Sequence, residues 1–542
     1  MLILGLGGFM HDYNCCLVDT DGRRVAMAEA ERLSRRKHHT IEADEDLMVP
    51  IRKCCRDLGV KPRDIDVAAV GHTDPFACKE RFRRALPKAN WVEVDHHLCH
   101  AAGAFFASPY DEALIVSVDG FGDGSSALIA TGRDTAIEES VRIDEANSIG
   151  LEYLRATFHL GLGGYGVEGK TQGLAAYGEP TLFDAYMREI DVTADGGVIL
   201  SDRLKGQSSA LAAEGGYLNT QILTNRFLDN LGVRRIAPEP LVEAHNNLAA
   251  SVQKMLERVV VELCLAGQRR GGQRNLVLSG GVAMNSSLNG RLLSSGAFDH
   301  IFALPMASDR GIGLGAALNY AHQTLGVDRF FALDDVFFGG AFDNRAAVRA
   351  MRKGGLKHRR SDDIHELAAE ALAQGKIIGW FQGRSEMGAR ALGNRSILAD
   401  PRVAGMKDVL NERVKHREWF RPFAPAVLAE RAADYFEFPP GVADLSFMTF
   451  TVNATERGKS DIPASVHVDG TARVQTVDAK RHPDFHRLIA RFAEITEVPV
   501  LLNTSFNDQG EPIVETPDDA VATFLKTDMD ILCIGDVVGT KP

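Results

Sequence analysis

Residues 275–293 read NLVLSGGVAMNSSLNGRLL. A short apolar run with strand character stops at Gly280-Gly281, and a helical pattern opens after Asn285 and Ser286. Strand, glycine turn and helix in that order are the unit from which α/β domains are built. The same punctuation recurs on either side. LILGLGG (2–8) reads as a strand entering a turn, NCCLVDTDGRRVAMAEAE as a hairpin around Asp21-Gly22, and EALIVSVDGFGDGSSALIAT as strand–turn–strand. HNNLAASVQKMLERVVVELCLAG (245–267) is an amphipathic helix ending at a glycine. Downstream, IHELAAEALAQGKIIGWF gives a helix and a strand, and the tail from TEVPVLLNTSF to DILCIGD gives strand, polar loop, helix and strand.

A chain of 542 residues is too long for one core. The stretch from residue 325 to 365 changes in texture and is taken as the crossing between two α/β domains, 1–340 and 341–542. The balance of 45% hydrophobic and 25% charged residues is that of a soluble globular protein, and no 18-residue apolar run is present to span a membrane. MLILGLGGFMHDY lacks a basic leader and a small-residue cleavage site, so no signal peptide is expected. Eight cysteines without a C-x-x-C pair suit reduced thiols in a cytoplasm. The net charge of −12 argues against a nucleic-acid partner. Residues 381–421 depart from that balance. They hold nine Lys/Arg against five acids, a local excess of four positive charges. Such a segment is either a phosphate site or a solvated charged face.

DHHLCHAAGAF (95–105) concentrates three histidines in five positions. His96 and His100 stand four apart, so a helix puts both imidazoles on one face, while His97 points elsewhere. The zinc-protease pattern needs Glu after the first His, and that position is His97. Alone, such a pair is more often a capped helix start with partnered histidines. Further ligands are available in Asp119, at a strand end in VDGFGDG, and Asp309, before a helix in MASDRGIGLGAA. Two imidazoles with carboxylates suit a divalent iron, manganese or zinc ion with open positions. The glycine loops GLGG (5–8), DGFGDG (119–124), LSGGVAMNSSLNG (278–290) and GIGLGAA (311–317) fit neither the P-loop nor the dinucleotide fingerprint. Their order resembles the acetate kinase/hexokinase/actin type of ATP fold.

HHLCHAAGAFFASP, SVDGFGDGSS, EGKTQGLAAYG, LSGGVAMNSSLNGRL, GRSEMGARALGNRSILADPR, KHREWFRPFAPAV, DGTARVQTV and LLNTSFNDQGEPIV occur in order along the chain. Together they resemble the carbamoyltransferases of natural-product biosynthesis, which include the tobramycin, cephamycin, ansamycin and nodulation-factor enzymes. The resemblance implies an N-terminal two-lobed, actin/hexokinase-like domain similar to the tRNA threonylcarbamoyl-transfer protein. It also implies a C-terminal α/β domain like threonylcarbamoyl-adenylate synthase. Carbamoyl phosphate and ATP are the implied co-substrates, with Mg²⁺ accompanying ATP. Carbamoyl-adenylate would form in the C-terminal domain, and the carbamoyl group would pass to a hydroxyl at a metal site in the N-terminal domain.

Residue by residue, the resemblance matches Arg390, Lys415, Arg421 and Arg473 to the anionic substrates and Ser505 and Asn507 to the nucleotide or carbamoyl group. Lys415 and Arg421 are also expected to act in catalysis. Gly280, Gly281 and Asn285 in the late glycine turn are expected to contact nucleotide. His96, Asp119 and Asp309 match the metal ligands, with His100 beside them. His11, in GFMHDYN, matches a catalytic histidine. His38, in RRKHH, is a second candidate, with His39 competing for the alignment and a structural role for both equally open. The acceptor is a small-molecule hydroxyl, in antibiotic-type secondary metabolism, and residues 178–245 are expected to line its pocket. No nucleic acid or membrane partner is expected, and a homodimer is compatible with the reading. The alternative is a tRNA-modifying enzyme of threonylcarbamoyl type, which the acidic chain disfavours. A non-enzymatic actin-like module leaves the His pair and the basic loop unexplained.

Overall fold

The computed structural model describes residues 1–41, 44–71, 76–205, 224–439, 442 and 444–542, and the side chains of 44–45 and 76–79 are outside it. The chain divides into two compact units. Unit 1 is Met1–Ala30 with His38–Leu333, and unit 2 is Asp334–Pro542 with Glu31–Lys37. Among the described residues no helix is long and apolar enough to cross a membrane, and the described cysteines are free thiols.

Unit 1 holds two five-stranded sheets. The first is built from β1 (Leu2–Gly7), β2 (Asn14–Asp19), β3 (Arg24–Glu29), β4 (Val67–Gly71) and β5 (Asn90–Val94), in the order β3-β2-β1-β4-β5. β1, β2 and β3 are antiparallel neighbours, and β4 and β5 are parallel to β1. The second sheet comprises β6 (Glu112–Gly122), β7 (Ser125–Arg133), β8 (Ala136–Asp144), β11 (Asn275–Ser279) and β12 (His300–Ala303). A small ribbon of β9 (Ile190–Val192) and β10 (Val198–Leu200) lies between them in sequence. The order β12-β11-β6-β7-β8 repeats the first sheet, with two antiparallel and two parallel pairings. One five-stranded motif used twice is the two-lobed actin/hexokinase architecture.

The opening stretch folds as β11, a turn at Gly280 and Gly281, and the helix Ser286–Ser294, whose N-cap is Asn285. Gly280 has φ +80°, and a Cβ there would stand 2.2 Å from the Val118 carbonyl oxygen. Glycine alone lets β11 leave the sheet so close to β6.

Two short helices organise the middle of unit 1. His96–Ala107 is buried along nearly its whole length, and Ile312–Asn319 is buried throughout. They meet through glycine. A Cβ on Gly315 would fall 1.8 Å from the Cys99 carbonyl oxygen, and one on Gly103 would fall 3.2 Å from Gly315 Cα. Gly5 of β1 meets Gly313 in the same way.

Unit 2 is an eight-stranded mixed sheet ordered β13-β22-β21-β14-β15-β20-β16-β19. Its strands are β13 (Lys357–Arg360), β14 (Ile378–Phe381), β15 (Arg395–Ala399), β16 (Ala424–Leu428), β19 (Gln475–Val477), β20 (Val500–Ser505), β21 (Ile531–Ile534) and β22 (Val537–Thr540). β17 (Val452–Asn453) pairs separately with β18 (Thr471–Ala472). The two-residue period assigns the faces. Ile397, Leu502, Leu532 and Ile534 join the core under the helices Asn344–Lys353 and Pro517–Lys526. Leu398, Leu501 and Cys533 join the opposite core, under Ile364–Ala373 and Pro483–Thr496. Burial on both faces is why these strands read as continuous apolar runs in the sequence. Unit 2 starts within the stretch read as a domain crossing, and its inclusion of Glu31–Lys37 has no counterpart in a contiguous division of the chain.

Candidate metal centre and cation cluster

In unit 1, Asp95 caps the helix His96–Ala107 by accepting from Leu98 N at 2.9 Å, and the backbone N–H of His96 donates to Asp123 at 2.9 Å. Both ends of that first turn are thereby held. His96 and His100, one helical turn apart, bring their Nε2 atoms to 3.1 Å. Asp119, from the end of β6, lies 3.3 Å from His96 Nε2 and 3.6 Å from His100 Nε2. Asp309, before the helix Ile312–Asn319, lies 3.8 and 3.6 Å from the same two atoms. One ligand atom from each of the four residues falls within 4.8 Å of the other three. Donor bonds of about 2.1 Å set neighbouring donors about 3.0 Å apart in an octahedron and about 3.4 Å apart in a tetrahedron. The observed separations, 3.1 to 3.8 Å, begin between those values and exceed the larger by at most about 0.4 Å, so these two imidazoles and two carboxylates fit one divalent ion.

The second layer is equally specific. Gly281 N donates to Asp119 Oδ1 at 2.7 Å. Asn14 donates to the Asp309 carbonyl oxygen at 2.7 Å and accepts from Gly313 N at 2.9 Å. A Cβ on Gly122 would strike the His96 ring, 2.2 Å from Cδ2. His97 faces Ser117 at 3.4 Å instead. Burial and the neighbouring His96 and His100 push it down to about 3, so it is a neutral packing group. Burial also opposes charge on His96, but Asp309 and Asp119 outweigh it and hold that imidazole up at about 9. Asp119 runs the other way. Burial raises it, and His100 and His96 draw it well below the usual carboxylate range.

His11 adjoins this group, with Nε2 3.4 Å from Asp309 and Nδ1 2.8 Å from the Tyr165 hydroxyl. His38 lies 2.9 Å from Asp12, which also pairs with Arg310 at 3.0 Å. His39 is buried and faces Asp46 at 3.5 Å. The two consecutive histidines thus have different surroundings, and His38 shares Asp12 and Tyr165 with His11. Asn285, read as a nucleotide contact, caps its helix and exchanges hydrogen bonds with Gln253. Of the expected acceptor region 178–245, residues 206–223 lie outside the described residues.

Unit 2 contains a second constellation. Lys415 is buried and its ammonium donates to Ser505 O at 2.8 Å, Ser505 Oγ at 3.3 Å, Asn507 O at 2.7 Å and Asn507 Oδ1 at 2.5 Å. Burial, Arg417 and Lys37 hold it well below the ordinary lysine range. Burial, then Arg421 and Arg417, pushes Arg473 down to about 10, and among the described residues its Nε is buried without a hydrogen-bond partner. Arg421 stands 3.7 Å from Glu418. Burial depresses all of these cations, and they outnumber the carboxylates beside them, Glu418 and Asp508, as a site for an anion requires. Arg417 is the member that motif reading did not single out. It packs over Phe423 and donates to Asn411 at 2.8 Å. Its place among the nine Lys/Arg of residues 381–421 was the available signal. Arg390 lies half-buried in the loop between β14 and β15.

Residues 76–318 match the family described as Carbamoyltransferase N-terminus, and residues 369–541 match the one described as Carbamoyltransferase C-terminus. Nodulation protein NolO of Bradyrhizobium diazoefficiens is 43% identical over 452 residues, covering 83% of this chain and 79% of that one. Nodulation protein NolNO of Sinorhizobium fredii is 38% identical over 591 residues, covering 100% of this chain and 83% of that one.

Proposed function

The chain belongs to the carbamoyltransferase family, and from that premise we propose that it activates carbamate as an adenylate in unit 2 and passes the carbamoyl group to a natural-product hydroxyl in unit 1. The observation that carries the reading is the convergence of His96, His100, Asp119 and Asp309 on one point, with His11 against Asp309. Carbamate is a poor electrophile because its leaving group is oxide. Joining it to AMP supplies a phosphate leaving group.

Water releases phosphate from carbamoyl phosphate. The carbamate oxygen then attacks the α-phosphorus of ATP, and pyrophosphate leaves. Each species is dense in negative charge, and the four cations Lys415, Arg417, Arg421 and Arg473 outnumber the carboxylates that act on them, Glu418 and Asp508. Arginine forks grip phosphate oxygens in pairs, and the lysine offers a mobile charge. Ser505 and Asn507 keep Lys415 in place until substrate oxygens replace them. Mg²⁺ accompanies ATP as its ordinary counterion.

Transfer follows in unit 1. His96, His100, Asp119 and Asp309 would hold one divalent ion, iron(II) first among the candidates. Such an ion supplies Lewis acidity toward an acyl oxygen and its phosphate leaving group. The acceptor hydroxyl attacks the carbamoyl carbon, AMP departs, and His11 takes the hydroxyl proton. Asp309 on one ring nitrogen, and Asp12 with Tyr165 on the other, fix the orientation of that imidazole. His38, on the other side of Asp12, is the second base.

The test is incubation of the whole protein with ATP, carbamoyl phosphate, iron(II) and a panel of natural-product alcohols. AMP, pyrophosphate and an acceptor heavier by one carbamoyl group in place of hydrogen are expected. Carbamoylated product without AMP would overturn the adenylate step.

A further inference from the structure

The RRKHH stretch contributes more than histidines. Its first three residues belong to Glu31–Lys37, which is part of unit 2. Arg32 donates to the Gly388 carbonyl oxygen at 2.5 Å and to that of Glu386 at 3.3 Å. Arg35 donates to Ile513 O at 2.5 Å and Pro512 O at 3.0 Å, and its guanidinium lies 3.6 Å from Asp519. The Pro512 and Ile513 carbonyls belong to the polar loop after β20. The same loop, through Ser505 and Asn507, receives the ammonium of Lys415. Two guanidinium anchors on buried backbone oxygens are far more than a surface segment needs. They fix the position of whatever follows Arg35.

We propose that Lys37 is a further substrate-binding cation of unit 2, carried to the Lys415 cluster by the anchored segment Glu31–Lys37, and that it takes a phosphate oxygen of the anionic substrate. The proposal rests on the activation site assigned above. Three observations support it. Lys37 follows Arg35 by two residues, so its backbone lies within about 7 Å of a residue gripping that loop. Lys37 is also among the charges that depress the Lys415 ammonium, so the two cations act on each other. Finally, Lys37 is exposed whereas Lys415 is buried. The exposed lysine can meet an incoming phosphate before the buried one exchanges its four protein contacts for substrate. An early, solvent-facing cation acts on capture of the anion, and its effect is screened by salt.

The experiment measures pyrophosphate binding to the full chain by calorimetry at several salt concentrations, alongside the KM values for ATP and carbamoyl phosphate in AMP formation. Lys37→Ala is expected to weaken pyrophosphate binding about 10-fold at low salt and to flatten its salt dependence. KM should rise for one anionic substrate with kcat changed less than 3-fold. Lys37→Arg restores most of the binding, and the neighbouring Arg36→Ala leaves it at the wild-type level. Equal affinity and equal salt slope in wild type and Lys37→Ala overturn the proposal, as does a loss that Lys37→Arg does not repair. Pyrophosphate binding that depends on Lys37, without AMP formation in the wild type, would retain the anion site and remove the adenylate reading instead. A wild type that binds no pyrophosphate removes both.

Discussion

Gly122→Ala tests the metal centre without replacing a ligand. Gly122 lies at the end of β6, and an added Cβ would stand 2.2 Å from His96 Cδ2 and 2.3 Å from Cγ. Carbon atoms rest no closer than about 3.5 Å, so the ring must retreat by about 1 Å. Ligand distances tolerate only about 0.2 Å. The helix cannot absorb the shift, because Asp95 and Asp123 hold its first turn and glycine contacts lock its middle. The displaced imidazole therefore leaves the set, and three donors remain of four. Loss of a well-placed supporting group already costs about 10–100-fold in affinity, so a loss of at least 100-fold is expected here. The assay is iron content after reconstitution and dialysis, paired with circular dichroism and with AMP formation. The expected protein is folded, makes AMP, and holds little metal. Stoichiometric metal in folded Gly122→Ala would refute the placement of His96 in the ligand set.

Lys415→Ala should lower AMP formation by at least about 100-fold, the scale set by removing one preorganised charge at a reacting group, while thermal unfolding shows a folded protein. AMP release at the wild-type rate would remove Lys415 from activation. His96→Ala and Asp309→Ala should lose metal and carbamoylated product yet still convert ATP in the presence of carbamoyl phosphate. Loss of both half-reactions in a folded variant would point to a single shared site. Glu152 predicts a pH effect on stability. Burial pushes its carboxyl up to about 8 against the pull of Arg155 and the Asn225 hydrogen bond. Its folded value is the higher one, so its stabilising contribution is complete below about pH 4.5 and is lost as pH rises toward 8, at up to about 1.4 kcal/mol per pH unit. Glu152→Gln should remove that slope, and parallel melting curves of the two proteins from pH 5 to 8 would refute it.

What the sequence made legible follows from what is local. The four-residue spacing of His96 and His100 is a property of one helix, so it could be read directly. Asp119 and Asp309 became candidates only through glycine turns and motif order, because their convergence depends on how β6 and the Ile312–Asn319 helix pack. The choice between His38 and His39 was closed to pattern reading, since His38 has φ +54° and neighbouring side chains diverge there. Glu31–Lys37 could not be assigned to unit 2 from its composition. Its membership is decided by carbonyl oxygens more than 300 residues away in sequence, which carry no side-chain signature. The repetition of one five-stranded order was equally hidden, because a topology can recur without repeated residues.

The glycine crossing between the helices His96–Ala107 and Ile312–Asn319 has a consequence for how this protein tolerates change. One helix carries two of the metal-facing imidazoles, and the other begins just after Asp309. Their separation is set where Gly315 meets Cys99 and Gly103, positions that offer no donor atom of their own. A saturation-mutagenesis map should therefore show a silent stripe at 103 and 315 as intolerant as the ligands. A homologue could retain every histidine and aspartate and still be unable to hold the ion, undone by one methyl group at the crossing.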